Sequence, residues 1–300
     1  MNTIYFDRFI GDDQRRDELY RGNLFVYQPT PATLALIEHA KSLIEEAFGD
    51  LEPTTAQHHL PVDEYVEILK ALKPKFIHHP RSKKLLQRIL LEMGCDPEQT
   101  YFDVPRMRSS TSNDYLTSGI AYAFHPHRDT WYSAPMCQIN WWLPIYDVES
   151  GNVMAFHPAY FERPVKNGSK HYNYQEWQQT GRKEAAKHVN KDTREQPKPE
   201  EPLELDPQVR VVTPPGGMLL FSGAHLHSSV PNDTGKTRFS IDFRTVNLDC
   251  LNQDGGAPNM DTACTGTSMR DYLRVSDLSN IPEEIVDRYM AGPPRAPVLI

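Results

Sequence analysis

From residue 101 onward the chain is cut into seven short segments rich in β-branched and aromatic residues: YFDVPRMRS, GIAYAFHPH, CQINWWLPIYDV, NVMAFHP, VRVVTP, GMLLFSG and TRFSIDFRTV. They are separated by Pro, Gly, Asn or Asp, residues that close strands. Proline supplies much of that punctuation, with 25 in 300 residues. Short strands after a helical section predict a mainly β fold with α decoration, a sandwich or jelly roll with helices packed outside it.

The segment before residue 101 has a different period. Thr30 followed by Pro31 reads as a helix start, apolar residues recur at helical spacing through Phe48, and Gly49 is the stop. Further helices are expected from Val62 to Leu72 and from Arg81 to Met93, all three as scaffold. The most polar part of the chain, residues 166–208, contains the helical-looking KEAAKH and reads as an ordered insertion or lid, with a flexible loop as the alternative. No internal repeat is visible. The expectation is a single domain over 1–300, with helical support in 1–100, a catalytic core in 101–248 and a C-terminal extension in 249–300.

Composition excludes several classes. The apolar share is 39%, enough for a sizeable core, and the net charge is −8, which argues against a protein built to grip nucleic-acid backbones. Runs such as Met218–Phe221 fall far short of the ~18 apolar residues of a membrane span, so no membrane partner is expected. The opening MNTIYFDRFIGDDQRRDE has no secretory pattern, and Cys95, Cys137, Cys250 and Cys264 lie far apart, as in reduced, cytoplasmic proteins.

Two places carry chemistry. In Phe124-His125-Pro126-His127-Arg128-Asp129, residues two apart in an extended strand point the same way, so His127 and Asp129 can aim an imidazole and a carboxylate at one point. A second pair, His225 and His227, follows the segment GMLLFSG. Two histidines and one carboxylate on one face of a metal suit non-haem Fe(II) and oxygen chemistry. An H-x-D tripeptide alone also reads as a satisfied strand-end turn. Downstream, Phe239, Ile241 and Phe243 alternate with Arg238, Ser240, Asp242 and Arg244. A polar face of this kind is either exposed to solvent or built to hold a ligand. In the second case Arg238 grips a dicarboxylate with the Ser240 hydroxyl beside it.

With His127-x-Asp129, a distal His227-Ser228, Arg238-x-Ser240 and the Pro-Gly-Gly-Met-Leu-Leu-Phe entry, the sequence resembles the Fe(II)/2-oxoglutarate-dependent dioxygenases, in particular the phytanoyl-CoA dioxygenase-like branch. The resemblance covers roughly residues 101–248. It implies a double-stranded β-helix, the jelly roll, with His127, Asp129 and His227 as metal ligands, Arg238 on the far carboxylate of 2-oxoglutarate, and O2 as oxidant. His225 is the alternative distal ligand, on the same strand face as His227 but without the following serine. Arg238-x-Ser240 is shared with other branches of the superfamily.

The expected activity is hydroxylation, or another oxidation, of a small polar metabolite, releasing succinate and CO2. Gln138, Asn140 and Trp142 alternate on one face of CQINWWL and are placed toward the cavity, the amides beside 2-oxoglutarate or substrate; the reverse facing remains open. Further candidates for substrate contact are His125, Trp131, Tyr132, His225, Arg106, Arg108 and Arg244. Two other classes compete. A cupin-type, non-oxidative metal enzyme explains the histidines and leaves Arg238 without a role, and a non-catalytic ligand-binding jelly roll leaves the metal spacing unexplained. Oligomeric state is not written in the sequence.

Overall fold

A computed structural model describes residues 2–117, 125–180 and 196–292. Most of the expected segment GIAYAFHPH and the stretch KEAAKH lie outside the described residues. In chain order the first elements are β1 (Ile4–Phe6), α1 (Asp12–Tyr20), β2 (Leu24–Tyr27), α2 (Pro31–Phe48), α3 (Val62–His78) and α4 (Pro80–Glu92). Then come β3 (Thr100–Phe102), β4 (Arg106–Ser110), β5 (Ile139–Pro144), β6 (Met154–Phe156), α5 (Tyr174–Gln179), β7 (Val209–Arg210) and β8 (Met218–Ser222). The chain continues through β9 (His227–Ser229), β10 (Arg238–Asn247), α6 (Leu248–Asn252), β11 (Leu273–Arg274) and α7 (Glu283–Arg288).

The architecture is mixed α/β rather than mainly β. Helices α2, α3 and α4 run 18, 17 and 13 residues, whereas among the described residues only β10, at 10 residues, is a long strand. Proline and glycine cut the strands short, while the N-terminal apolar stripes continue uninterrupted. The Thr30 side chain accepts from the Thr33 amide, Pro31 opens α2, and Gly49 closes it with a φ of 61°. Helix α3 continues past Leu72 because Phe76 extends its buried stripe, despite Pro74 inside it.

The larger sheet has the order β1-β2-β8-β5-β10-β3-β11, with β4 also paired to β10. All its pairings are antiparallel except β1 with β2, and the sheet is not closed. A three-stranded sheet of order β7-β6-β9 stands apart from it. Strand β10 organises the larger sheet. Its Phe239, Ile241 and Phe243 are fully buried in a core shared with α2, α3 and the C-terminal segment. Burial at this level is worth about 1.5–3 kcal/mol per side chain. Period-two alternation then forces Arg238, Ser240, Asp242 and Arg244 onto the opposite face. Strands β1 and β2 extend this sheet from a region expected to be mostly helical, because LFVY of β2 is buried on both faces. Among the described residues, no helix is long and apolar enough to cross a membrane.

Candidate metal centre

A cavity of about 430 Å³ is walled by β4, β5 and β10 of the larger sheet on one side and by Met154 and His227 to Ser229 of the smaller sheet on another. Helices α3 and α5 and the segment before β11 complete it. On the wall of this cavity His127, Asp129 and His227 converge, all buried, with one ligand atom from each within 4.8 Å of the others. His127 Nε2 lies 3.5 Å from Asp129 Oδ1, and His227 Nε2 lies 3.9 Å from the same oxygen.

Backbone pairing brings the two imidazoles together. The amides of His127 and His227 each donate to the other's carbonyl at 2.9 Å, an isolated antiparallel bridge beside β9. Asp129 opens a 3₁₀ turn, Asp129 to Tyr132, which ends at Ser133 with a φ of 63°. Between the ligating positions, Arg128 points away. Its guanidinium is 1% exposed and bonds Asp261 at 3.0 Å together with the carbonyls of Ala224, Tyr160 and Arg163. Asp261 also accepts from Trp131 Nε1 at 2.7 Å and from the Val165 amide at 2.9 Å, so it braces the loop from behind.

Proton positions follow from the partners. His127 Nδ1 is 2.8 Å from the His125 carbonyl, and His227 Nδ1 is 3.0 Å from the His225 carbonyl. A carbonyl can only accept, so Nδ1 carries the proton in both rings and Nε2 presents a lone pair toward Asp129. Burial, with His127 close by, brings the His227 imidazole down to about 4, which keeps it neutral. Burial pushes the Asp129 carboxyl up, but the neighbouring His127 and His227 outweigh that and bring it down to about 2. Two lone pairs and an anionic oxygen facing one point form a set that a cation stabilises.

The two carboxylate oxygens have different surroundings. Asp129 Oδ2 receives Gln138 Nε2 at 3.0 Å and lies 3.5 Å from Arg244 Nε. Gln138 Nε2 also donates to Asn140 Oδ1 at 2.9 Å, and Tyr272 donates to Gln138 Oε1 at 2.8 Å. Arg244 is anchored by Asp103, through its amide at 2.7 Å and its guanidinium at 3.2 Å.

Elsewhere on the same wall, Arg238 is 7% exposed and donates to the Asn152 carbonyl at 3.0 Å. Among the described residues its Nε is buried with no hydrogen-bond partner, as is the Ser240 hydroxyl. Burial brings the Arg238 guanidinium down to about 10, only partly offset by Asp242. Among the described residues no carboxylate forms an ion pair with it. The guanidinium carbon sits 5.9 Å from the centre of the Trp142 ring. A buried guanidinium in this state is costly until an anion joins it.

The cavity thus gathers His127, Asp129, His227, Gln138, Asn140, Trp142, Tyr132, Arg106, Arg108, Arg238, Ser240 and Arg244. Three residues expected beside a substrate are not on its wall. Trp131 is fully buried and bonded to Asp261. His225 lies in the turn before β9, not on the strand face of His227, because the chain reverses at Gly223 and Ala224; its Nε2 donates to the Gly22 carbonyl at 2.9 Å. His125 Nε2 bonds the Pro197 carbonyl at 2.8 Å, beside the Tyr132 hydroxyl. Arg106 and Arg108 line the cavity paired with Asp103 and Asp242 respectively.

Sequence reasoning did not single out Lys73, Asp103, Tyr172, Trp177, Asp271 or Tyr272, all on the wall. Lys73 lies just past the expected end of its helix, and burial beside Arg108 brings its ammonium down to about 7. Tyr132, Tyr172 and Trp177 form a run of rings with centres 5.3 and 6.0 Å apart. The last two belong to the polar insertion, where a lone aromatic has no periodic signal.

No family model matches the chain, and no curated protein matches it at a significant level. Several solved structures have partial similarity to it. The apo form of ThoJ, a non-heme monooxygenase, is 12% identical, with a TM-score of 0.44 over 77% of this chain and 76% of that one. EvdO2 from Micromonospora carbonacea var. aurantiaca is 11% identical, with a TM-score of 0.45 over 79% and 91%. SnoN, a non-heme alpha ketoglutarate dependent epimerase from nogalamycin biosynthesis, is 13% identical, with a TM-score of 0.36 over 78% and 84%. These likenesses are too loose to transfer chemistry from one chain to another.

Proposed function

We propose that the protein is a non-haem Fe(II)- and 2-oxoglutarate-dependent oxygenase that hydroxylates, or otherwise oxidises, a small polar metabolite. The two sheets then correspond to the two faces of a jelly-roll core. The observation that carries the reading is the pairing, in one cavity, of a two-histidine, one-carboxylate cluster with a buried guanidinium whose Nε lacks a partner.

The donor set fits the metal. Two imidazoles and one carboxylate occupy one face and leave the remaining positions to ligands from the cavity, as oxygen chemistry at Fe(II) requires. The anion site fits the cosubstrate, because Arg238 Nε and the Ser240 hydroxyl are donors on the cavity wall that a distal carboxylate satisfies. Fe(II), if held by His127, Asp129 and His227, would supply the coupling of the oxidative decarboxylation of 2-oxoglutarate by O2, giving succinate and CO2, to oxidation of a substrate C–H bond.

The side chains of this chain have three tasks. His127 and His227 present Nε2 through rings fixed by their Nδ1 bonds. Arg238 orients the cosubstrate from its far end, so that its keto acid points toward the metal position. The aromatic run of Tyr132, Tyr172 and Trp177 shields that part of the cavity from water and offers flat surfaces to a substrate. The paired charges Arg106–Asp103 and Arg108–Asp242 favour a polar substrate over a long acyl chain.

The test is anaerobic addition of Fe(II) and 2-oxoglutarate to purified protein. A weak visible charge-transfer band, absent in Asp129→Ala and weakened in Arg238→Ala, is expected. Admission of air then yields succinate, and a screen of metabolites identifies those that raise its rate. Wild-type protein that shows no band and releases no succinate would overturn the reading.

A further inference from the structure

We propose that Tyr272, in the C-terminal segment, is a positioning residue that makes Asp129 a one-oxygen metal ligand by locking the orientation of the Gln138 amide. This rests on the metal reading above and goes beyond it, because it gives a task to a segment that carries no part of the motif.

The geometry divides the carboxylate. Oδ1 faces the two imidazoles, 3.5 and 3.9 Å from their Nε2 atoms, while Oδ2 faces Gln138 Nε2 at 3.0 Å and Arg244 Nε at 3.5 Å. With Oδ2 accepting from Gln138 and facing the Arg244 guanidinium, only Oδ1 is turned toward the metal position. A carboxylate that swung to give both oxygens would take up a position that the cosubstrate or oxygen needs.

That division depends on which way round the Gln138 amide sits. An amide has donors at one end and an acceptor at the other, and a half-turn exchanges them. Here Nε2 meets two acceptors, Asp129 Oδ2 and Asn140 Oδ1, and Oε1 meets the Tyr272 hydroxyl at 2.8 Å. The half-turned amide would set oxygen against both acceptors and face the Tyr272 hydroxyl with NH2. Gln138 and Tyr272 are 2% and 1% exposed, so a lost partner leaves a nearly buried polar group unmatched, which is costly. Tyr272 is itself held between the 3₁₀ turn Met269–Asp271 and β11, which pairs with β3.

Co(II) serves as the probe, since its visible bands report ligand number and geometry without turnover. Purified wild type, Tyr272→Phe, Gln138→Met and the double variant are titrated with Co(II), and the thermal midpoint of each metal-free protein is recorded. Tyr272→Phe and Gln138→Met are each expected to weaken Co(II) binding about tenfold or more, in the range for partners behind a metal ligand, and to alter the spectrum. If Tyr272 acts through Gln138, adding Tyr272→Phe to Gln138→Met changes little further. A merely structural tyrosine would lower the midpoint, and its effect would persist in the Gln138→Met background, which overturns the proposal. Wild-type affinity and spectrum in Tyr272→Phe overturn it as well. Failure of wild type to bind Co(II) removes the metal reading itself, a result distinct from both.

Discussion

His127 and His227 exchange backbone hydrogen bonds, each amide donating to the other's carbonyl at 2.9 Å. Each ring is then oriented by the same local device, an Nδ1 bond to the carbonyl two residues earlier. The leading histidine of each His-x-His pair therefore contributes its carbonyl rather than its ring. The side chain of His125 should accordingly be replaceable. His125→Gln is expected to keep Co(II) affinity within a few-fold of wild type, whereas His127→Ala and His227→Ala lose it. Equal losses in all three, measured by titration, would contradict this division of labour.

Arg238 is expected to have opposite effects on stability and on binding. Truncating one partner of a buried charge pair costs about 2–5 kcal/mol, so Arg238→Met should weaken 2-oxoglutarate binding roughly thirtyfold or more. Removing a buried guanidinium that has no ion-pair partner should leave the metal-free, ligand-free protein as stable as wild type, or more so. Arg238→Lys should not rescue binding, because an ammonium cannot reproduce the fork. Calorimetric titration and thermal unfolding of the same preparations check both halves. A fall in ligand-free stability with intact affinity would mean the guanidinium is structural.

Asp261 holds the loop carrying His127 and Asp129 through Arg128, Trp131 and Val165. Asp261→Ala leaves the Arg128 guanidinium buried without its counter-ion, at a cost of about 3–5 kcal/mol in urea unfolding. Adding Arg128→Met should recover part of that loss, because the uncompensated charge is gone. If the double variant is less stable than Asp261→Ala alone, the carbonyl contacts of Arg128 matter more than its charge.

A pH dependence follows from His39 in α2. Its Nε2 lies 3.2 Å from the Ser82 hydroxyl, which itself donates to the Phe76 carbonyl at 2.7 Å, so the hydroxyl oxygen accepts and Nε2 carries the ring's proton. Burial, with His79 and Arg81 nearby, lowers the imidazole from 6.5 to about 4. The unfolded chain therefore takes up a proton more readily than the folded one. The His39 contribution is fully present above pH 6.5 and is lost as the pH falls toward 4. His39→Gln should flatten that part of the stability profile, and an unchanged acid slope in the variant would assign it to other groups.

Some of this architecture was legible without coordinates because it is local. The Thr30-Pro31 start and Gly49 stop of α2 depend only on capping and backbone freedom at the helix ends. The alternation in β10 depends only on the strand's period of two, so Arg238 and Ser240 had to share a face. That face lines the cavity rather than bulk solvent. The mixed composition was less legible. The expectation of a mainly β chain failed because helix α3 runs on to His78, past the expected Leu72, and because β1 and β2 join the sheet from that same region.

By itself the sequence determined the chemistry that was available: an H-x-D step, a distal histidine and an arginine set two strand positions from a serine. The sequence pointed to His127 and His227; only the tertiary structure decided where the other histidine of each pair goes, since His225 sits in a chain reversal that no side-chain period encodes. It also decided what surrounds the ligands. Tyr272, Lys73 and Asp103 reach the cavity from the C-terminal segment, a helix and a strand end, each within a stretch whose local pattern says only scaffold. Long-range packing sets their partners, burial raises the cost of leaving any donor or acceptor unmatched, and neither can be read from neighbours in the chain.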